Sequence, residues 1–125
     1  MNVVDSSAWP EYFANGPNAQ FFAPPIEQTD KLIVPSLSLF EVFKRILQQR
    51  DEQDALQAVA VMQQGAVIDL DSSVALSAAR LSVEKKLPMA DIVVLATARE
   101  YGATPWTQDA NFEGLDKVQY RRRKA

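Results

Sequence analysis

The fold class this sequence predicts is α/β: a mostly parallel sheet covered by helices on both faces. Short apolar runs alternate with segments of helical period, and the connections between the runs are too long for hairpins. The scale fits as well. The 125 residues are 47% hydrophobic and 23% charged, with four glycines and seven prolines, the balance of one compact domain over residues 1–125. A chain of that length buries about two-thirds of its unfolded surface, so its core needs no disulfide or structural zinc.

Asn2 to Asp5 is the first strand, a short apolar run ending in an acid. Ser6 and Ser7 suit the N-cap of a helix over Ala8 to Phe13, with Pro10 in its first turn. Asn15, Gly16 and Pro17 break the chain, and Asn18 to Gln28 reads as helix interrupted by Pro24 and Pro25. Lys31 to Pro35 is the second strand. Ser36 or Ser38 then caps a helix whose Leu39, Phe40, Phe43, Ile46 and Leu47 repeat at helical spacing to about Gln49.

A further helix runs from Asp51 to Gln64 and stops at Gly65, before a third strand over Ala66 to Leu70. Asp71 or Ser72 caps the helix of Val74, Leu76, Ala79, Leu81 and Val83, which closes on Lys85 and Lys86. After Pro88, the run from Asp91 to Tyr101 is apolar all round and reads as a buried helix. Ala103 to Thr107 and Lys117 to Tyr120 are strands four and five. Pro105 belongs where its missing N–H is not required.

Composition narrows the chemistry. With no cysteine and no histidine, thiolate nucleophiles, Ser-His-Asp triads and His/Cys zinc sites are excluded together. Carboxylates, hydroxyls, amines or a borrowed metal remain. The start, Met1 to Trp9, lacks the basic and apolar regions of a signal peptide, and no stretch approaches the roughly 20 apolar residues of a membrane span; a cytoplasmic protein is expected, with no membrane partner. The net charge of −3 conceals an asymmetry. Arg121, Arg122, Arg123 and Lys124 close the sequence, and without them nine basic residues face sixteen acids, or −7. Such a body repels nucleic acid unless some of its carboxylates gather round a cation.

Four acids stand where that can happen. Asp5 ends the first strand and Asp109 follows the fourth, and ligands of open α/β sheets bind beyond the carboxyl ends of strands. Glu41 lies among Leu39, Phe40, Val42 and Phe43, and Asp91 opens the most buried helix. Each also has a structural reading: Glu41 in a capping box with Ser38 or pairing with Lys44 and Arg45, Asp91 on a helix dipole, Asp5 and Asp109 as caps. Together, buried carboxylates need pairing or a hard cation, and Mg²⁺ or Mn²⁺ takes carboxylate and water oxygens while leaving room for phosphate.

The segments VVDSSAW, VPSLSLFEVFKRIL, LPMADIVVLATA and WTQDANFEGL, in this order, resemble the motifs of PIN-domain ribonucleases, and most of all bacterial VapC-type toxins. The resemblance spans essentially the whole chain. It implies a three-layer α/β/α PIN-like fold with a five-stranded parallel sheet of order 3-2-1-4-5, placing Asp5 beside Asp109. It also implies that Asp5, Glu41, Asp91 and Asp109 bind Mg²⁺ or Mn²⁺ and activate water for endonucleolytic cleavage of a structured RNA, such as tRNA or rRNA, inhibiting translation. Ser6 and Thr107 match nearby hydroxyl positions that orient a carboxylate or water. Asn111 departs from the pattern, because many relatives carry an acid there. A homodimer and a small antitoxin covering the acidic groove complete the implied picture.

Other readings come from the same residues. A receiver-like phospho-acceptor domain and a non-catalytic RNA-binding scaffold are the alternatives. Asp109, Asn111, Glu113 and Gly114 imitate a calcium loop, but Tyr120 stands at its twelfth position, so calcium is rejected. Asp69 and Asp71 are given no catalytic role. Arg121 to Lys124 form either a solvated tail or an arm that tracks RNA phosphates. Trp9 and Trp106 read as packing residues.

Overall fold

The computed structural model describes residues 1–124. Its elements are β1 (Asn2–Val4), α1 (Ala8–Phe13), α2 (Ala19–Glu27), β2 (Leu32–Pro35), α3 (Ser36–Gln49), α4 (Glu52–Met62), β3 (Ala66–Ile68), α5 (Ser72–Glu84), α6 (Met89–Glu100), β4 (Thr104–Thr107) and β5 (Gln119–Tyr120). Short 3₁₀ turns occupy Thr29–Lys31 and Ala110–Phe112. All strand pairings are parallel, in the order β3-β2-β1-β4-β5. A receiver-like domain has the order 2-1-3-4-5, so that alternative is set aside.

Period-two alternation divides the core between the two faces of the sheet. Val4, Leu32 and Val34 pack with Trp9, Phe22, Ile26, Val42, Ile46 and Met62 from α1 to α4. Val3 and Ile33 face the other way, onto Leu81 of α5 and Ile92 to Ala96 of α6. Because both faces are covered, β2 and the Val3–Val4 part of β1 are apolar without alternating polar residues. Trp9 is fully buried and donates its indole N–H to the Val4 carbonyl at 3.2 Å, while Trp106 donates to Asn2 Oδ1 at 2.9 Å. Both act as packing residues, as the sequence predicts. Among the described residues no helix is long and apolar enough to cross a membrane.

Pro105 sits inside β4 at no cost to the ladder. The Thr104 N–H donates to the Met1 carbonyl and the Trp106 carbonyl accepts from Asp5, so even-numbered residues bond toward β1. The Thr107 carbonyl accepts from Arg121 on the β5 side. Pro105 therefore faces the β5 side, and β5 begins only opposite Trp106.

Several local expectations need correcting. Pro24 and Pro25 do not interrupt α2, which is continuous from Ala19 to Glu27. A helical φ suits proline, and burial of Phe22, Pro25 and Ile26 offsets the missing hydrogen bonds. Neither Ser36 nor Ser38 caps α3: Pro35 holds that position, Ser36 Oγ accepts from the Leu70 N–H, and Ser38 Oγ is buried without a partner among the described residues. Ser7 occupies the position before α1 but makes no capping bond, its hydroxyl being engaged by Asp5. The buried helix α6 begins at Met89, behind Pro88, two residues before the expected start at Asp91, which therefore lies within its first turn. Asp51 and Asp71, by contrast, cap α4 and α5 by accepting from Asp54 and Val74 N–H.

Candidate active site

Parallel β1 and β4 lie side by side at the centre of the sheet, where the chain switches direction of winding, and their carboxyl ends open on one groove of about 440 Å³. Asp5, Ser6, Glu41, Asp91 and Asp109 all line it. The predicted acids thus come from four separate elements to one mouth: the end of β1, the second turn of α3, the first turn of α6, and the turn after β4.

Each acid is held by a short polar partner. Asp5, only 3% exposed, accepts at Oδ2 from both Ser7 (2.7 Å) and Thr107 (2.9 Å). Thr107 Oγ1 in turn accepts from the Asp109 N–H at 2.9 Å, so one buried hydroxyl links two of the acids. Ser6 donates to Glu41 Oε1 at 2.5 Å, which replaces the capping box expected between Ser38 and Glu41. Asn111 Nδ2 donates to Asp91 Oδ2 at 2.9 Å, and the Asn111 N–H donates to Asp109 Oδ1. The residue that departs from the motif therefore bridges two of the acids, one through its side chain and one through its backbone.

Burial and mutual repulsion make Asp5 and Asp91 weaker acids than free carboxyls. Burial raises the Asp5 carboxyl above its ordinary range; hydrogen bonds from Ser7 and Thr107 oppose the shift and the charge of Asp109 adds to it. Asp91 is pushed up to about 6, first by burial and then by Asp5, Asp109 and Glu41, against the hydrogen bond from Asn111. None of the four acids has a cationic partner within ion-pair distance among the described residues, where the salt bridge found is Arg50 with Asp54. Uncompensated carboxylate oxygens are the donor set that a hard divalent cation prefers. The fit is one of type and charge. Among the described residues no three acids already stand as a ready-made ligand cluster, so binding would have to draw carboxylates together.

Three polar residues at this site carry no signal recognised in the sequence. Ser7, read as a cap, is the shortest hydroxyl contact to Asp5. Gln108 lines the groove, donates to the Ser7 carbonyl at 3.2 Å and accepts from Asn18 at 3.0 Å. Asn18, which the sequence places at the start of a helix, is 1% exposed and also donates to the Arg122 carbonyl at 3.0 Å. A polar residue flanked by Thr107 and Asp109 is the signal that could have found Gln108. The basic run itself divides: Arg121 lies 4.5 Å over the Phe21 ring, Arg123 lines the acidic groove, and Lys124 is exposed.

Comparison with known proteins agrees with this architecture. The family model described as PIN domain matches residues 3–118. No curated protein matches the sequence. Among solved structures, a toxin-antitoxin complex from Klebsiella pneumoniae is similar at TM-score 0.78 and 19% identity, covering 94% of this chain and 95% of the other. The sarcin-ricin loop cleaving VapC toxin of Mycobacterium tuberculosis is similar at TM-score 0.77 and 16% identity, over 95% and 98%. DNA-bound VapBC from Salmonella typhimurium follows at TM-score 0.74 and 14% identity, over 98% of each chain.

Proposed function

Because this chain belongs to the PIN-domain family, we propose that it is a Mg²⁺- or Mn²⁺-dependent endoribonuclease acting as the toxin of a toxin-antitoxin pair. The observation that carries this reading is the convergence of Asp5, Glu41, Asp91 and Asp109 on one groove without a cationic partner among the described residues. The relatives point the same way: one is a toxin that cleaves the sarcin-ricin loop, and others are toxin-antitoxin complexes.

Asp5, Glu41, Asp91 and Asp109 are the residues that would hold the ion. When bound, it supplies charge neutralisation at the phosphate and acidifies water for attack on phosphorus. The chain's own contribution is orientation. Ser7 and Thr107 fix one oxygen of Asp5, Ser6 fixes Glu41, and Asn111 fixes Asp91, so the remaining carboxylate oxygens are presented to the groove. Cleavage with departure of the 3′-oxygen would leave 5′-phosphate ends. The groove gathers carboxylates and the chain has no histidine, which supports water activation by a cation over imidazole general-base chemistry.

The antitoxin in this reading is a small protein whose tail covers the acidic groove, and the working unit is a homodimer in the cytoplasm. The test is direct. Purified protein should cut RNA with added Mg²⁺ or Mn²⁺ and stop in EDTA, with 5′-phosphate at the mapped ends. Expression alone should arrest growth, and co-expression of the adjacent small gene should relieve the arrest. Cutting that persists in EDTA would overturn the mechanism.

A further inference from the structure

The four basic residues at the end of the chain divide into anchors and a free group. Arg121 is committed on both sides: its backbone N–H donates to the Thr107 carbonyl and its guanidinium lies over Phe21. The next carbonyl, that of Arg122, accepts from Asn18, which is buried and held by Gln108, itself donating to the Ser7 carbonyl. Residues 121 and 122 are therefore fixed to the same segments that carry Asp5 and Asp109. Arg123 follows directly, lines the acidic groove, is exposed, and forms no ion pair among the described residues.

From this placement we propose that Arg123 is the phosphate-gripping residue of the site, delivered by the Ser7–Gln108–Asn18 chain of hydrogen bonds, and that Arg121 and Arg122 serve as its anchors. The proposal rests on the endoribonuclease reading and deepens it. A polyanion approaching a body of charge −7 needs a local cation at the acidic mouth, and a guanidinium offers a planar fork that matches phosphate oxygens. A free tail attracts RNA from any direction. A pinned one fixes a single phosphate relative to Asp5 and Asp109.

The experiment measures RNA affinity in EDTA by fluorescence anisotropy, and steady-state cleavage with Mg²⁺, for four proteins. Arg123→Ala should weaken metal-free binding and raise KM about tenfold with kcat little changed, the loss expected for one charge-assisted hydrogen bond. Its salt dependence of binding should be shallower by about 0.7 in log–log slope, one phosphate of a single strand. Arg80→Ala, the same charge change on α5, should match wild type. A two-glycine insertion between Arg122 and Arg123 keeps every charge but displaces the guanidinium, and should behave as Arg123→Ala does. If the inserted protein binds as wild type, position is irrelevant and the proposal fails. If wild type cuts RNA and Arg123→Ala is indistinguishable from it, the role of Arg123 falls while the proposed function stands. Wild-type protein that neither binds nor cuts RNA overturns both.

Discussion

Two pairs of aspartates follow strands in this molecule, and they meet different fates. Asp69 and Asp71 follow β3 at the edge of the sheet; both are exposed, and Asp71 spends its carboxylate capping α5. Asp5 and Asp109 follow β1 and β4 at its centre, joined through the Thr107 hydroxyl and facing Glu41 and Asp91 across one groove. An acid after a strand is thus not a site by itself. What differs is topology: at the edge a carboxylate meets water and the start of the next helix, whereas at the switch point the chain on both sides turns away and leaves a shared mouth.

The comparison breaks most visibly at Asp5. Asp5→Asn should reduce RNA cleavage by more than about 100-fold, beyond the loss of an outer hydrogen-bond partner at such sites, and Asp69→Asn should leave it unchanged. Because Asp5 is a desolvated carboxylate, the same substitution should raise the melting temperature in EDTA. Cleavage assays and thermal melts on both variants check this pair.

Next in size is the response to the cation. The folded value of Asp91, about 6, lies above its ordinary 3.8, and Asp5 shifts in the same direction. The folded protein then holds protons that the unfolded chain has released, so without metal its stability rises as pH falls through about 6 and is lowest above it. Mg²⁺ at a hundredfold excess over its dissociation constant should add about 2.7 kcal/mol at pH 7.5, and less at pH 5, where protons compete. Melts in EDTA and in Mg²⁺ at the two pH values give the answer, and indifference to Mg²⁺ at pH 7.5 would remove the cation from the site.

A subtler test separates the acids from the group that joins them. Thr107→Val keeps the shape of a fully buried residue but removes the hydroxyl shared by Asp5 and Asp109, and should cost about 10–100-fold in activity or metal affinity. The smallest effect belongs to the edge. Asp71→Ala should lower stability by about 1 kcal/mol through loss of the cap, with cleavage unchanged; denaturant titration beside an activity assay distinguishes the two.

The parts of this molecule that could be read from the sequence are those fixed by local physics. Apolar runs located five strands, the cap at Asp71 followed from an acid before an apolar helical segment, and Glu41 and Asp91 stood out as acids in apolar surroundings. What escaped depends on partners far along the chain. Gln108 is an ordinary polar residue after a strand until the Ser7 carbonyl, 101 residues earlier, accepts from it, and Asn18 is only the start of a helix until Gln108 and Arg122 arrive, 90 and 104 residues later. The two prolines of α2 mislead for the opposite reason. Their local penalty is real, and the burial that outweighs it is tertiary.

The Thr107–Asp5 hydrogen bond spans 102 residues, and β1 is flanked by β4, which lies far downstream in the sequence. The sheet's centre cannot close until β4 has emerged, and long-range parallel pairing of this kind is slow to form. During synthesis, then, a nascent chain that stops short of β4 lacks Thr107 and Asp109 and with them the assembled acidic groove, and whatever this groove does must wait until β4 has emerged.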